Sequence, residues 1–272
     1  MPFQIATQSH MTPTRASNRT NEEKRLALLH KGRAAQTQSH LDFDWDRSAR
    51  IPFWLPTSVA ASAVSQFHLG EQSTARMCRQ LRHVMPEHAT REFLETQSLD
   101  EERHARIFST YLTKLGGARP IPEPIQQLYD EALAWNGAPE AVMVAFHIIL
   151  EGEALRLCHG IEAWMPCPLF RDLASVVARD EARHVTWGKL YLRDALPALP
   201  KSERLDIYIW SRALWFRAAR AMAGKYSAMG LLGGNARFDS WMERKWRDRL
   251  DDLHSAGLFT AEEQPEFLRA TA

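Results

Sequence analysis

Asp100-Glu101-Glu102-Arg103-His104 and Asp180-Glu181-Ala182-Arg183-His184 decide how this 272-residue chain is read. Each run contains Glu-x-x-His. On a helix, residues three apart lie about 60° apart around the axis, so the carboxylate and the imidazole reach one point beside it. Each motif glutamate is preceded, at the same spacing in both halves, by another glutamate: Glu71 before Glu101, Glu151 before Glu181. Four glutamates and two histidines from four helices form the ligand set of a dinuclear carboxylate metal site inside a bundle. At the offset that relates the two runs, Asp100 matches Asp180, Arg103 matches Arg183, His104 matches His184 and Tyr111 matches Tyr191. One such motif alone reads better as a solvated charged face with i, i+3 pairs. An internal repeat of the whole pattern does not.

Working outward, four long helical patterns carry these residues. The first spans about Ser58 to Met85, with Val64, Phe67, Glu71, Thr74, Cys78, Leu81 and Met85 on one stripe. A carboxylate inside an apolar stripe requires a partner or a metal. Pro86 closes that helix. The second spans about Glu87 to Leu115, with Phe93, Glu101, His104, Phe108 and Tyr111 on one face, and Gly116 and Gly117 stop it. The proline-rich stretch ARPIPEP then reads as a long crossover between two halves of a bundle. The third pattern spans about Pro139 to Trp164, with Val144, His147, Glu151, Leu155, Cys158 and Ile161 inward. The fourth spans about Phe170 to Leu196, with Val177, Glu181, His184, Gly188, Tyr191 and Ala195 inward.

The neighbouring acids separate by angle. Glu153 lies about 200° around the helix from Glu151 and points away. Glu102 lies about 100° from Glu101, at the surface or outside the ligand shell. His147, one turn before Glu151, is a candidate extra ligand or pocket residue, set against a hydrogen-bonded core histidine. His68, in the turn before Glu71, is a weaker candidate. A substrate pocket beside the metals would be lined by Phe67, Thr74, Phe108, Tyr111, Gly188 and Tyr191, with His147 among them. Gly188 costs its helix about 1 kcal/mol relative to alanine. Room for a substrate is one reason to keep it, and close helix packing is the other.

The flanks are simpler. Residues 1–37 read as a polar tail with a short charged helix over 21–36, and 38–272 as one all-α domain. Its metal-binding bundle covers about 58–196 and extra helices about 202–256. Between them, 38–56 reads as a strap in which Phe43, Trp45, Phe53 and Trp54 plug into a neighbour, broken by Pro52 and Pro56. The helix after Pro200, with its Arg and Trp residues, reads as packed on the bundle rather than on a membrane surface.

Composition narrows the class. Apolar content of 45% and charged content of 25% are ordinary for a soluble globular protein. A net charge of +1 gives no electrostatic reason to expect nucleic acid. Cys78, Cys158 and Cys167 lack zinc-like spacing and read as reduced thiols of a cytoplasmic protein. The longest apolar run, about 141–150, is interrupted by His147 and is too short to span a bilayer. Carboxylates with imidazoles suit non-haem iron or manganese better than zinc, and four glutamates balance two divalent ions.

On these motifs the chain resembles the ferritin-like di-iron carboxylate oxygenases. Relatives of that kind include bacterial multicomponent monooxygenase hydroxylases, arylamine N-oxygenases and the ribonucleotide reductase small subunit. The resemblance covers about residues 60–196. It implies two iron ions, or iron with manganese, held by Glu71, Glu101, His104, Glu151, Glu181 and His184. It also implies that Asp100 bonds His184 and Asp180 bonds His104, with Arg103 and Arg183 bracing the aspartates; such carboxylates fix the tautomer of a ligand histidine. The implied activity is reduction of dioxygen coupled to hydroxylation, N-oxygenation or desaturation of a small organic substrate. A ferredoxin or reductase would supply electrons, and a homodimer is an allowed assembly. A ferroxidase or iron store, and a non-enzymatic metal-stabilised scaffold, are the competing readings. The radical tyrosine of the reductases falls here on Phe108, which argues against the reductase role.

Overall fold

The computed structural model describes residues 15–39, 42–226 and 235–271, with the side chains of 15–19, 222–226, 235 and 236 excepted. Among them every regular element is helical. The bundle comprises α2 (Thr57–Val84), α3 (His88–Lys114), a broken third helix and α7 (Pro168–Ala195). Helix α2 pairs with α3, the third helix pairs with α7, and α3 meets α7 between the pairs. Met85, preceding Pro86, turns extended and ends α2, because a residue before proline avoids the helical region. Gly116 and Gly117 end α3 with φ of 83° and 98°, and the Gly117 N–H bonds back to the Leu112 carbonyl at 2.8 Å. Only glycine takes such angles without steric cost.

The third helix departs from the α-pattern. It comprises α5 (Pro139–Met143), a π-helical stretch Val144–Leu150 and α6 (Glu151–Trp164). The Glu151 N–H reaches the Phe146 carbonyl, five positions back rather than four. Short π-helical insertions of this kind recur at functional sites. The crossover after ARPIP also holds a helix that the prolines conceal, α4 (Glu123–Leu133), with Pro124 in its first turn. It packs on α8 (Lys201–Tyr226) and on α2.

Helix α1 (Arg15–Ala35) is longer than the 21–36 expected and lies on α3 and α7. The strap expectation needs correction. Phe43 and Trp45 pack on the bundle, but Phe53 and Trp54 stand in solvent, because the chain over 42–56 does not turn those two rings inward. In place of one helix over 237–256 the chain forms α9 (Asn235–Arg247) and α10 (Leu250–Ser255), followed by α11 (Gln264–Arg269). All three cysteines are buried free thiols. No helix among the described residues is long and apolar enough to cross a membrane.

The apolar core is split. One cluster fills the end lined by Met77, Leu81, Phe93, Phe146, Trp187 and Leu192. The other fills the opposite end, lined by Val64, Ile107, Phe108, Phe170, Leu173 and Val177. In sequence, the layer between them is Glu71 on α2, Gln97 to His104 on α3, Glu151 opening α6 and Asp180 to His184 on α7. Further out, α8 presents Tyr208, Trp215 and Phe216 to the buried Trp246 of α9, whose Nε1–H donates to the Tyr208 hydroxyl at 3.1 Å. Trp246→Ala should cost about 3–5 kcal/mol, the range for truncating a large buried aromatic. Urea denaturation checks this, and a loss below about 1 kcal/mol would show that α9 is not part of the cooperative core.

Candidate metal centre

Each Glu-x-x-His run lies well inside a long helix whose packing buries the whole motif. Glu71, Glu101, His104, Glu151, Glu181 and His184 are each at most 4% exposed. Their ligand atoms fall into two groups compact enough for one metal ion each. The first is Glu71, Glu101, His104 and Glu181; the second is Glu101, Glu151 and His184. Glu101 belongs to both, as a carboxylate shared by two neighbouring ions does. The layer can therefore hold two metal ions.

The imidazoles are oriented by aspartates of the opposite half. His104 Nε2 lies 3.1 Å from Asp180 Oδ2, and His184 Nε2 lies 3.2 Å from Asp100 Oδ2. An aspartate accepts, so each ring carries a proton on Nε2. Arg103 spans both aspartates, donating to Asp100 at 2.9 Å and Asp180 at 2.5 Å. Arg183 mirrors it, donating to Asp180 at 2.7 Å and also to Asp100. Gln36, just past the end of α1, adds a bond to Asp100 at 2.7 Å. Two aspartates and two arginines thus neutralise one another outside the ligand layer.

The other imidazole nitrogens face carboxylates. His104 Nδ1 lies 3.3 Å from Glu71, 3.4 Å from Glu101 and 3.6 Å from Glu181. His184 Nδ1 lies 3.1 Å from Glu101 and 3.7 Å from Glu181. Lone pairs crowded together in this way require a cation or protons among them. Glu151 Oε2, Glu181 Oε2 and His184 Nδ1 are buried with no hydrogen-bond partner. Each ion withdrawn from water costs several kcal/mol unless compensated, so four buried glutamates without counter-charge would oppose folding. Two divalent cations restore neutrality and supply partners for the orphaned atoms. The donor set of four carboxylates and two imidazoles fits iron or manganese.

Without cations, protons fill that role. Burial works against charge on His104, but its bonds to Asp180, Glu101 and Glu71 outweigh this and hold its pKa well above the ordinary value. For His184 burial is likewise outweighed, first by the charge of Glu101 and then by Asp100, Glu101 and Glu181 facing its ring nitrogens. Burial pushes Glu71, Glu151 and Glu181 up. Burial also opposes ionisation of Glu101, yet the facing imidazoles draw it well below the ordinary value.

The remaining sequence candidates separate clearly. Glu153 faces α8 and the α9–α10 junction, accepting from Trp215 Nε1 at 3.1 Å and from Arg249. Glu102 pairs at the surface with Arg79 at 3.0 Å. His147 belongs to neither ligand group; its Nε2 lies 2.9 Å from Gln97 Oε1. Burial lowers its pKa to about 3, so the ring is neutral. Gly188 leaves no room for a substrate: a Cβ there would meet the His147 Cβ at 2.6 Å and its Cγ at 2.9 Å. Close packing is therefore why a glycine stands there. Phe67 stacks on Phe108 at 5.4 Å between ring centres, and Thr74 bonds back to the Gly70 carbonyl at 3.1 Å. Tyr111 stacks on Phe170 and donates to Cys167 Sγ at 3.4 Å. Tyr191 stacks with Trp187, and its hydroxyl lies 3.4 Å from Glu140. Gln97, which sequence reasoning missed, donates to Glu151 at 2.6 Å and to Glu101 at 3.3 Å. The signal was its place one turn before Glu101.

The chain has the fold of the R2-like ligand-binding oxidases. One such oxidase with an aerobically reconstituted Mn/Fe cofactor aligns over 97% of this chain and 96% of its own, at a TM-score of 0.58 and 14% identity. A variant with an anaerobically reconstituted Mn/Fe cofactor aligns over 84% and 92%, at a TM-score of 0.61 and 16% identity. No protein-family model matches the sequence, and no curated protein matches it either. At these identities the oxidases share the ferritin-like helical fold with this chain, and the case for metals rests on its own residues.

Two outcomes check this geometry. Metal ions compete with protons for the His Nδ1 atoms and the raised carboxylates, so binding must release protons and affinity must rise with pH. Calorimetric titration with Mn²⁺ in two buffers of different ionisation enthalpy should give different heats; equal heats would contradict the assignment. Gly188→Ala should destabilise the fold by about 1–3 kcal/mol through overpacking against His147. A thermal midpoint equal to that of the parent would show that His147 yields freely.

Proposed function

We propose that the chain is a dinuclear iron, or iron–manganese, oxidoreductase that uses dioxygen to oxidise a small organic molecule. The observation that supports this best is the pair of overlapping ligand groups sharing Glu101, sealed between two apolar clusters. The neighbouring oxidases are named for a Mn/Fe cofactor and for ligand binding, which agrees with this choice of metals and with an organic substrate. Two ions bound there in the reduced state would supply electrons to dioxygen. The residues of this chain hold them and keep water out.

Glu71 and His104 would hold one ion and Glu151 and His184 the other, while Glu101 and Glu181 lie between the two histidines. Asp180 and Asp100 keep each Nε2 protonated, so that Nδ1 offers its lone pair to the metal. Against the cost of burial, the facing imidazoles first, and then Arg183, hold the carboxyls of Asp100 and Asp180 below the ordinary range. The reading includes hydroxylation, N-oxygenation or desaturation as the reaction class, an external ferredoxin or reductase as electron source, a cytoplasmic site of action and a homodimer as assembly. Phe67 and Phe108 form an aromatic wall on which an apolar substrate can rest. With Phe108 one turn after His104, no long-lived tyrosyl radical is expected.

The experiment combines metal analysis with oxygen consumption. The chain loaded anaerobically with Fe²⁺ should hold two ions, and Glu101→Ala should lose at least one. Exposure to air should consume oxygen in proportion to the bound iron. Unchanged metal content in Glu101→Ala would sink the assignment. Many turnovers of added Fe²⁺ with deposition of a mineral would establish a ferroxidase instead.

A further inference from the structure

The two halves repeat in sequence, yet around the metal layer the repeat breaks at three positions together. Gln97 corresponds to Val177, His147 to Phe67 and Gly188 to Phe108. On one side of the layer Phe67 stacks on Phe108, and Val177 of the same apolar cluster is fully buried. On the other, His147 fills the space left by Gly188 and bonds Gln97. One side of the centre is walled by hydrocarbon and the other by a polar chain.

That chain ends on Glu151, which belongs to one ligand group only, and on Glu101, which both groups share. Gln97 Nε2 donates to Glu151 Oε1 at 2.6 Å and to Glu101 Oε1 at 3.3 Å, and both carboxylates belong with His184. Both amide hydrogens are thereby used. The Gln97 Oε1 accepts from His147 Nε2–H, which fixes which way the amide faces. Reversed, it would set its oxygen against two carboxylate oxygens. Among the described residues, Glu71 and Glu181 receive no such amide. Glu151 Oε2 is left without a partner, held available for a metal by the bond at Oε1.

From this we infer that Gln97, oriented by His147 in the space that Gly188 leaves, is the positioning residue of the Glu151–His184 subsite and makes the two metal subsites unequal. The Glu71–His104 subsite meets Gln97 only through the shared Glu101, at 3.3 Å. The Glu151–His184 subsite depends on it directly, because among the described residues the Gln97 amide is what restrains the Glu151 carboxylate against the repulsion of Glu101. Loss of a group that orients a ligand commonly weakens a metal about 10–100-fold. The inference rests on the proposed dinuclear centre.

The test is titration of the metal-free chain with Mn²⁺, followed by calorimetry and electron paramagnetic resonance. The parent should bind two ions and give an exchange-coupled spectrum. Gln97→Met, similar in length and able to fill the same space, should bind the first ion within about threefold of the parent and the second at least tenfold more weakly. Its spectrum at one equivalent and above should be that of an isolated ion. His147→Phe, which keeps the ring but removes the donor, should weaken the same second ion by less. Near-ultraviolet circular dichroism of the metal-free variants confirms folding. Two ions bound by Gln97→Met with parental affinities, or both weakened equally, would overturn the inference while leaving the dinuclear centre intact. A parent that binds no pair of ions would overturn the dinuclear centre itself.

Discussion

Four carboxylates held out of water in the middle of a helical bundle are the constraint on which everything else depends. Their mutual repulsion, added to the loss of hydration, would oppose folding unless positive charge is built in beside them. The chain supplies it in two tiers. Arg103 and Arg183 neutralise Asp100 and Asp180, and those aspartates orient His104 and His184. The glutamates themselves are left to protons or to metal ions. This division separates the part of the polar layer that is permanently satisfied from the part that is completed only by binding.

The split core follows from the same constraint. The apolar stripes of α2, α3 and α7 are continuous except where the ligands stand, so the core forms two clusters with the charged layer between them. Each cluster closes one end of the layer against water, which strengthens every electrostatic interaction inside. The outer helices extend this seal. The turn that follows α1 reaches Asp100 through Gln36, α8 and α10 back the π-helical segment, and α8 also reaches α6 through Trp215.

The internal repeat makes the centre nearly two-fold, and its breaks carry the chemical distinction. An aromatic pair on one side offers an apolar surface. A histidine and a glutamine on the other offer directed hydrogen bonds. A symmetric pair of ions would need neither difference; two ions with unequal roles, or an organic substrate approaching one of them, would need both.

Glu71, Glu101, His104, Glu151, Glu181 and His184 were legible in the sequence because helical periodicity alone places i and i+3 together, and a glutamate kept in an apolar stripe must meet a cation or a proton. The bundle and the ends of α2 and α3 were legible for local reasons: Pro86 and the Gly116–Gly117 pair act on their own neighbours. The π-helical turn before Glu151 was not, since VAFHIIL contains no proline or glycine to mark it. Nor could periodicity choose between a cavity and close packing at Gly188. That was decided by His147, remote in the sequence and on another helix, whose Cβ occupies the space a side chain would need. Phe53 and Trp54 read as inward because they are aromatic, but burial belongs to a neighbour's surface, and among the described residues none covers them. The sequence by itself determined which groups must meet in one layer, because that depends on spacing along helices. Which of them are clamped, and by what, was decided only by tertiary structure, because Gln97, His147 and Gly188 come together from three separate helical segments.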